Sequence, residues 1–226
     1  MKLILGLYSL FLSLTSFSQF AIIADKDGYV NVRQEGASGS KIVDTLHNDH
    51  LVFIMERKGN WTNIDYSIRK NDLNGYIYSD RLIRIDTYPK IPATTKDGPS
   101  YAKDSILVQI TTRKFIPSNY RITYIKESPK YIQLINGRPY FGTDGEMPRM
   151  AYKSITVTIG ERKIVLPERA TEDLFEPTIH NTEVHYDTVR DILYIMAANS
   201  DGAGGYDVIW KIEKGAYVGR YVAYGF

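Results

Sequence analysis

An all-β protein is what this sequence predicts: a small barrel followed by an antiparallel β-sheet or sandwich with at most one short helix. Three observations carry that expectation. Short runs with period-two apolar alternation recur from Tyr29 to Tyr224. Turn signals rich in Gly, Asn and Asp separate them. No stretch sustains the 3.6-residue apolar period that long helices between strands would need. The 18 tyrosines fit the same picture, because Tyr is at home both on strand surfaces and in binding grooves.

The first residues are expected to leave the mature chain. Met1-Lys2 supplies a positive start, Leu3–Leu14 is mostly apolar, and Ser16-Phe17-Ser18 places small residues at the −3 and −1 positions before Gln19. That order is a secretory signal peptide over residues 1–18. The apolar run is too short for a membrane span, which takes ~20 residues. The chain has no Cys, which removes thiol nucleophiles, Cys-based zinc sites and lipid attachment at a cleaved N-terminal Cys. An exported protein without disulfides points to a bacterial envelope or extracellular protein held together by its core alone.

The first domain is expected over 19–86. Tyr29–Arg33 alternates with Val30 and Val32 on one face, and Gln34–Ser40 is a Gly/Ser loop. Ile42–Leu46 and Leu51–Met55 flank a tight turn at His47-Asn48-Asp49. Gly59-Asn60 reads as a hairpin turn into Trp61–Asp65, Tyr66–Asn74 as a polar loop, and Gly75–Tyr78 as the closing strand. A barrel of this size has a marginal core, so contact with the rest of the chain is expected to help it. Residues 87–103 hold Pro89, Pro92 and Pro99, and are expected to form an extended, semi-rigid linker.

A second antiparallel β domain is expected over 104–226. Its strands are Ile106–Thr111, Arg121–Lys126, Tyr131–Ile135, Ser154–Ile159, Arg162–Leu166, Val184–Tyr186, Ile192–Met196, Tyr206–Ile212 and Tyr217–Tyr224. Asn136-Gly137, Gly160-Glu161 and Lys214-Gly215 are hairpin signals. Ala170–Phe175 has helical character for one or two turns.

Charge narrows the partners. Residues 20–86 hold nine Lys and Arg against ten Asp and Glu, and the whole chain has a formal net charge of +2. No basic run exceeds two residues, so neither nucleic acid nor an anionic membrane surface is an expected partner. Once the signal peptide is cleaved, no membrane insertion is expected.

The succession Tyr29-Val30-Asn31-Val32-Arg33, Gly59-Asn60-Trp61 and Gly75-Tyr76-Ile77-Tyr78-Ser79-Asp80-Arg81-Leu82 resembles the bacterial SH3-like (SH3b) domain, over about a third of the chain. The resemblance implies a small β-barrel with an aromatic groove, and a peptidoglycan, peptide or protein ligand. It places Tyr29, Trp61, Tyr76 and Tyr78 at that groove or in its support, with Asn31, Arg33 and Asp80 as polar contacts. Some SH3b proteins continue into a papain-like peptidase; this chain lacks the Cys such chemistry needs. The second half resembles exported bacterial proteins of unknown function that end in a Ser-Asp-Gly-Ala-Gly…Gly-Arg-Tyr-Val pattern, which implies no chemistry.

Other candidates compete with plainer readings. His47 and His50 have H-x-x-H spacing, but in a tight turn their side chains diverge, so no metal and no cofactor is expected. His180 and His185 lack a nucleophile elbow and read as strand-end histidines. Asn199–Gly205 is rich in Gly but leads into a strand rather than a phosphate-binding helix, so a long hairpin connection is expected. Gly142–Glu146 is a second such loop, and together the two would place Asp144, Glu146, Asp201 and Asp207 around one polar site. A non-catalytic binding protein is the leading expectation, with no catalytic residues. An envelope hydrolase using the acidic loops and His185, and an inhibitor or immunity-type partner of another secreted protein, are the alternatives.

Overall fold

The computed structural model describes residues 19–69, 71–95 and 99–224. The expected signal peptide, Met1–Ser18, lies outside the described residues. The structure is all-β, and the helical pieces among the described residues are single 3-10 turns. No described helix is long and apolar enough to cross a membrane.

Seven strands build the first half: β1 (Phe20–Ile23), β2 (Tyr29–Arg33), β3 (Ile42–His47), β4 (Leu51–Lys58), β5 (Trp61–Ile68), β6 (Asn71–Tyr78) and β7 (Leu82–Arg84). They form one antiparallel sheet in the order β3-β2-β6-β5-β4-β1-β7. The sheet curls around Ala21, Ile23, Val30, Val32, Leu46, Val52, Ile64, Tyr66 and Ile77, which alternate with outward residues along their strands. Gly75 lets β6 approach β2 closely, since a Cβ there would strike Val32 and the Arg33 carbonyl. Within the expected polar loop over Tyr66–Asn74, Tyr66–Ile68 continues β5 and Asn71–Asn74 begins β6. Asn63 and Asn74 exchange amide hydrogen bonds at 2.9 and 3.0 Å across β5 and β6, and Asn74 also donates to Asp65 at 2.7 Å. Polar side chains here form a ladder on the outer face, which a hydrophobic alternation does not register.

Eleven strands follow: β8 (Lys90–Ile91), β9 (Ser100–Lys103), β10 (Ile106–Lys114), β11 (Ile122–Ile125), β12 (Ser128–Ile135), β13 (Met150–Ile159), β14 (Arg162–Val165), β15 (Thr182–Asp187), β16 (Ile192–Asn199), β17 (Tyr206–Glu213) and β18 (Ala216–Tyr224). One sheet runs β14-β13-β10-β9 and another β18-β17-β16-β15-β8, while β11 and β12 pair alone. Each of the nine strands expected after residue 104 is present with shifted ends. The segment 87–103 is not a free spacer. β8 pairs with β15 and β9 pairs with β10, so this stretch is stitched into both sheets. Ala170–Phe175 is not a helix either: a 3-10 turn at Glu168–Ala170 precedes bridges that tie Leu174 to Phe141 and Phe175 to Ala151. Asn136-Gly137 closes a tight turn sealed by the single bridge Ile135↔Arg138, not a hairpin between two long strands.

The layers explain the longest uninterrupted apolar run in the sequence, Ile192–Ala198. β16 is buried on both faces. Leu193, Ile195 and Ala197 join Val208, Trp210, Val108, Ile110, Ile155 and Val157 in the core between the five- and four-stranded sheets. Ile192, Tyr194 and Met196 pack the other way, with Ile209, Tyr221 and Ala223, against Phe20, Ile22, Phe53 and Ile85 of the first half. The two halves therefore share a core, in which β1 is also covered on both faces. Arg190 reinforces the seam: it bonds Asp187 at 2.5 Å, pairs with Asp49 and donates to the Tyr88 hydroxyl at 2.7 Å.

Candidate functional site

Two clefts gather most of the residues singled out from the sequence. The first opens on the outer face of the curled sheet, with a volume of about 220 Å³. β2 builds one wall, because Val30 and Val32 turn inward and leave Tyr29, Asn31 and Arg33 outward. Trp61 and Tyr78, register partners on β5 and β6, build the other, with ring centroids 4.4 Å apart. Asp25, Asp27, Ser38 and Arg81 complete the lining. Tyr29 and Tyr78 remain 45% and 41% exposed, so ring surface is open to a ligand.

The support of this cleft is local. Asp25 pairs with Arg81 and accepts a hydrogen bond from the Asp27 amide at 2.7 Å, which shapes the turn before β2. Arg33 donates to the Ser40 carbonyl at 2.6 Å and so holds the end of the Gly/Ser loop. That loop also folds over the sheet: a Cβ on Gly36 would stand 3.1 Å from Trp61 and 3.3 Å from Tyr76. Tyr76 is for this reason part of the covered floor and does not line the cleft. Asp80 does not line it either, and its carboxylate pairs with Arg81 at 3.1 Å. Asp25, Asp27 and Arg81 were missed in the sequence; the Asp-Lys-Asp-Gly turn directly before Tyr29 is the signal that marks the first two.

The second cleft, about 490 Å³, lies where the two Gly-rich loops meet. Ser200 donates to the Gly142 carbonyl at 2.8 Å, and Gly204 packs directly on the Thr143 backbone. Asp144, Glu146 and Asp201 line it together, joined by Arg149 and Glu176, an ion pair of 3.3 Å. Asn199, at the end of β16, is buried and anchors the loop by accepting from Tyr152 at 3.0 Å and from the Thr178 amide at 2.8 Å. Asp207 is not in this cleft. It lies in β17 opposite Ala223, on the strand face that Ile209 turns to the first half. Burial alone pushes its carboxyl up to about 6.

The histidines take no part in either cleft. His185 is 2% exposed, with Nδ1 at 2.8 Å from the Tyr88 carbonyl and Nε2 at 3.4 Å from Glu183. The His185 and Lys90 hydrogen bonds hold the Glu183 carboxyl down at about 2. His47 stands edge-on to Tyr29 and His50 edge-on to Tyr66, so the two rings of the H-x-x-H pair have different surroundings. Between them Asn48 makes the turn, accepting from the Asp25 amide and donating to its carbonyl, both at 2.8 Å. Among the described residues no group of three or more His, Asp or Glu is placed to hold a metal ion.

No family model matches this chain, and no curated protein or solved structure does either.

Proposed function

We propose that the chain is an exported, non-catalytic binding protein that holds a peptide or a peptidoglycan fragment in the Tyr29–Tyr78 cleft of an SH3-like N-terminal sheet. One observation carries this reading: exposed Tyr29 and Tyr78 face a single cleft with Trp61, Asn31 and Arg33. Flat rings offer contact area at a small cost in side-chain entropy, and a few fixed polar groups supply direction. The floor beneath is rigid, because the inward faces of the same strands form a closed apolar core. A signal peptide over 1–18 would send the chain to the periplasm or the medium, where such ligands are found.

The test is retention on purified cell wall. Tyr29→Ala/Tyr78→Ala removes the two exposed rings without touching the core, and is expected to lower retention about ten-fold or more while the melting temperature stays within a few degrees. Equal retention of the variant and the wild type would count against the cleft.

A further inference from the structure

We infer that the Tyr29–Tyr78 cleft takes the free carboxylate end of a short peptide, with Arg33 as the group that reads it. The inference rests on the binding role proposed for this cleft and adds the chemistry of what fits there.

The charges in the wall are arranged unequally. Arg81 is already committed, paired with Asp25 and with Asp80. Arg33 is not: no ion pair among the described residues engages it, and its hydrogen bond goes to the neutral Ser40 carbonyl. A guanidinium carries five N–H donors, so the bond to Ser40 orients the group and leaves donors for a ligand. A half-buried cation without a counter-ion beside aromatic rings is suited to a planar anion, which it meets with two parallel hydrogen bonds. Two carboxylates, Asp25 and Asp27, share the cleft. Arg81 neutralises Asp25, so the free charge is that of Asp27, which disfavours a polyanion and favours a ligand with a single negative charge. Asp27 is exposed and its carboxylate is unpaired among the described residues; it precedes β2, whereas Arg33 ends that strand. From Tyr29 to Arg33, β2 advances ~13 Å, close to the length of four extended residues. A peptide of that length therefore reaches Arg33 with its carboxylate, lays a side chain on Trp61 and Tyr78, and leaves its amino end near Asp27.

The experiment uses the full mature chain, immobilised, and a randomised tetrapeptide library in two forms, free acid and C-terminal amide. Wild-type protein is expected to retain the free acids roughly ten-fold or more over the amides, the range of one charge-assisted contact. Arg33→Gln should abolish that preference, and Arg33→Lys, which keeps the charge but not the planar fork, should keep part of it. Equal retention of acids and amides, with both lost in Tyr29→Ala/Tyr78→Ala, overturns the carboxylate and leaves the cleft standing. A preference for acids that survives Arg33→Gln overturns the assignment to Arg33. No retention of either form by the wild type overturns the carboxylate proposal and the peptide-binding role together.

Discussion

Asp207 carries its carboxyl in surroundings unfavourable to its charge. Among the described residues its carboxylate has no hydrogen bond or ion pair, and burial raises its pKa from 3.8 to about 6. An acid whose folded pKa lies above its unfolded value binds more protons when folded. Stability therefore falls as pH rises from about 4 to about 6, and the whole penalty is present above that window. Asp207→Asn removes the charge at the same size. It is expected to raise stability at pH 8 by roughly 1–3 kcal/mol and to leave it nearly unchanged at pH 4. Denaturant titrations of both proteins at the two pH values check this; an equal effect at both would show that charge burial is not the cause. Arg33 shows the opposite logic at this scale, a charge kept near solvent with donors to spare. Neither property is written in the local sequence, where Asp207 and Arg33 both look like polar positions in alternating strands.

Elements were far more legible than their partners. Tyr29–Arg33 is the strand the alternation predicts, and the Gly59-Asn60, Gly160-Glu161 and Lys214-Gly215 signals each join a hairpin. What failed is instructive. β1 is four apolar residues buried on both faces, so no alternation marks it as a strand. β8 has two residues and a Pro on each side, and its strand character comes from pairing with β15 rather than from propensity. The two Gly-rich loops were recognisable as loops, but their meeting is a tertiary fact. Gly204 makes it possible: a Cβ there would lie 2.8 Å from Thr143 Cα and 3.1 Å from the Gly142 carbonyl carbon. These are backbone atoms, which cannot move aside cheaply, so Gly204→Ala is expected to part the loops and cost roughly 1–3 kcal/mol. Gly39→Ala, in open space at an ordinary backbone angle, should change stability by no more than about 0.5 kcal/mol. Urea denaturation of the pair decides whether contact or mere loss of glycine is responsible.

At the scale of the molecule, the seam between the halves governs how the chain unfolds. The curled sheet is marginal in size, and Phe20, Ile22, Phe53 and Ile85 on its outside are covered by Ile192, Tyr194, Met196, Ile209 and Tyr221. Removing that cover would expose large apolar groups on β1 and β4, the strands that also close the curl from inside. Five residues of β16, β17 and β18, in turn, lose their packing if the curled sheet leaves. Each half thus stabilises the other, and a single cooperative thermal transition is expected despite the four separate sheets. Arg190 is the polar part of the same seam. Its loss leaves the Asp187 carboxylate, 7% exposed at its side chain, with backbone amides of Val189 and Arg190 as its remaining partners, and frees Asp49 and Tyr88. Breaking an ion pair buried on one side costs roughly 2–4 kcal/mol, so Arg190→Ala should lower the melting temperature by about 4–16 °C while keeping one transition. Calorimetry distinguishes this from independent halves, for which the same substitution would split the endotherm and leave one half melting at its original temperature.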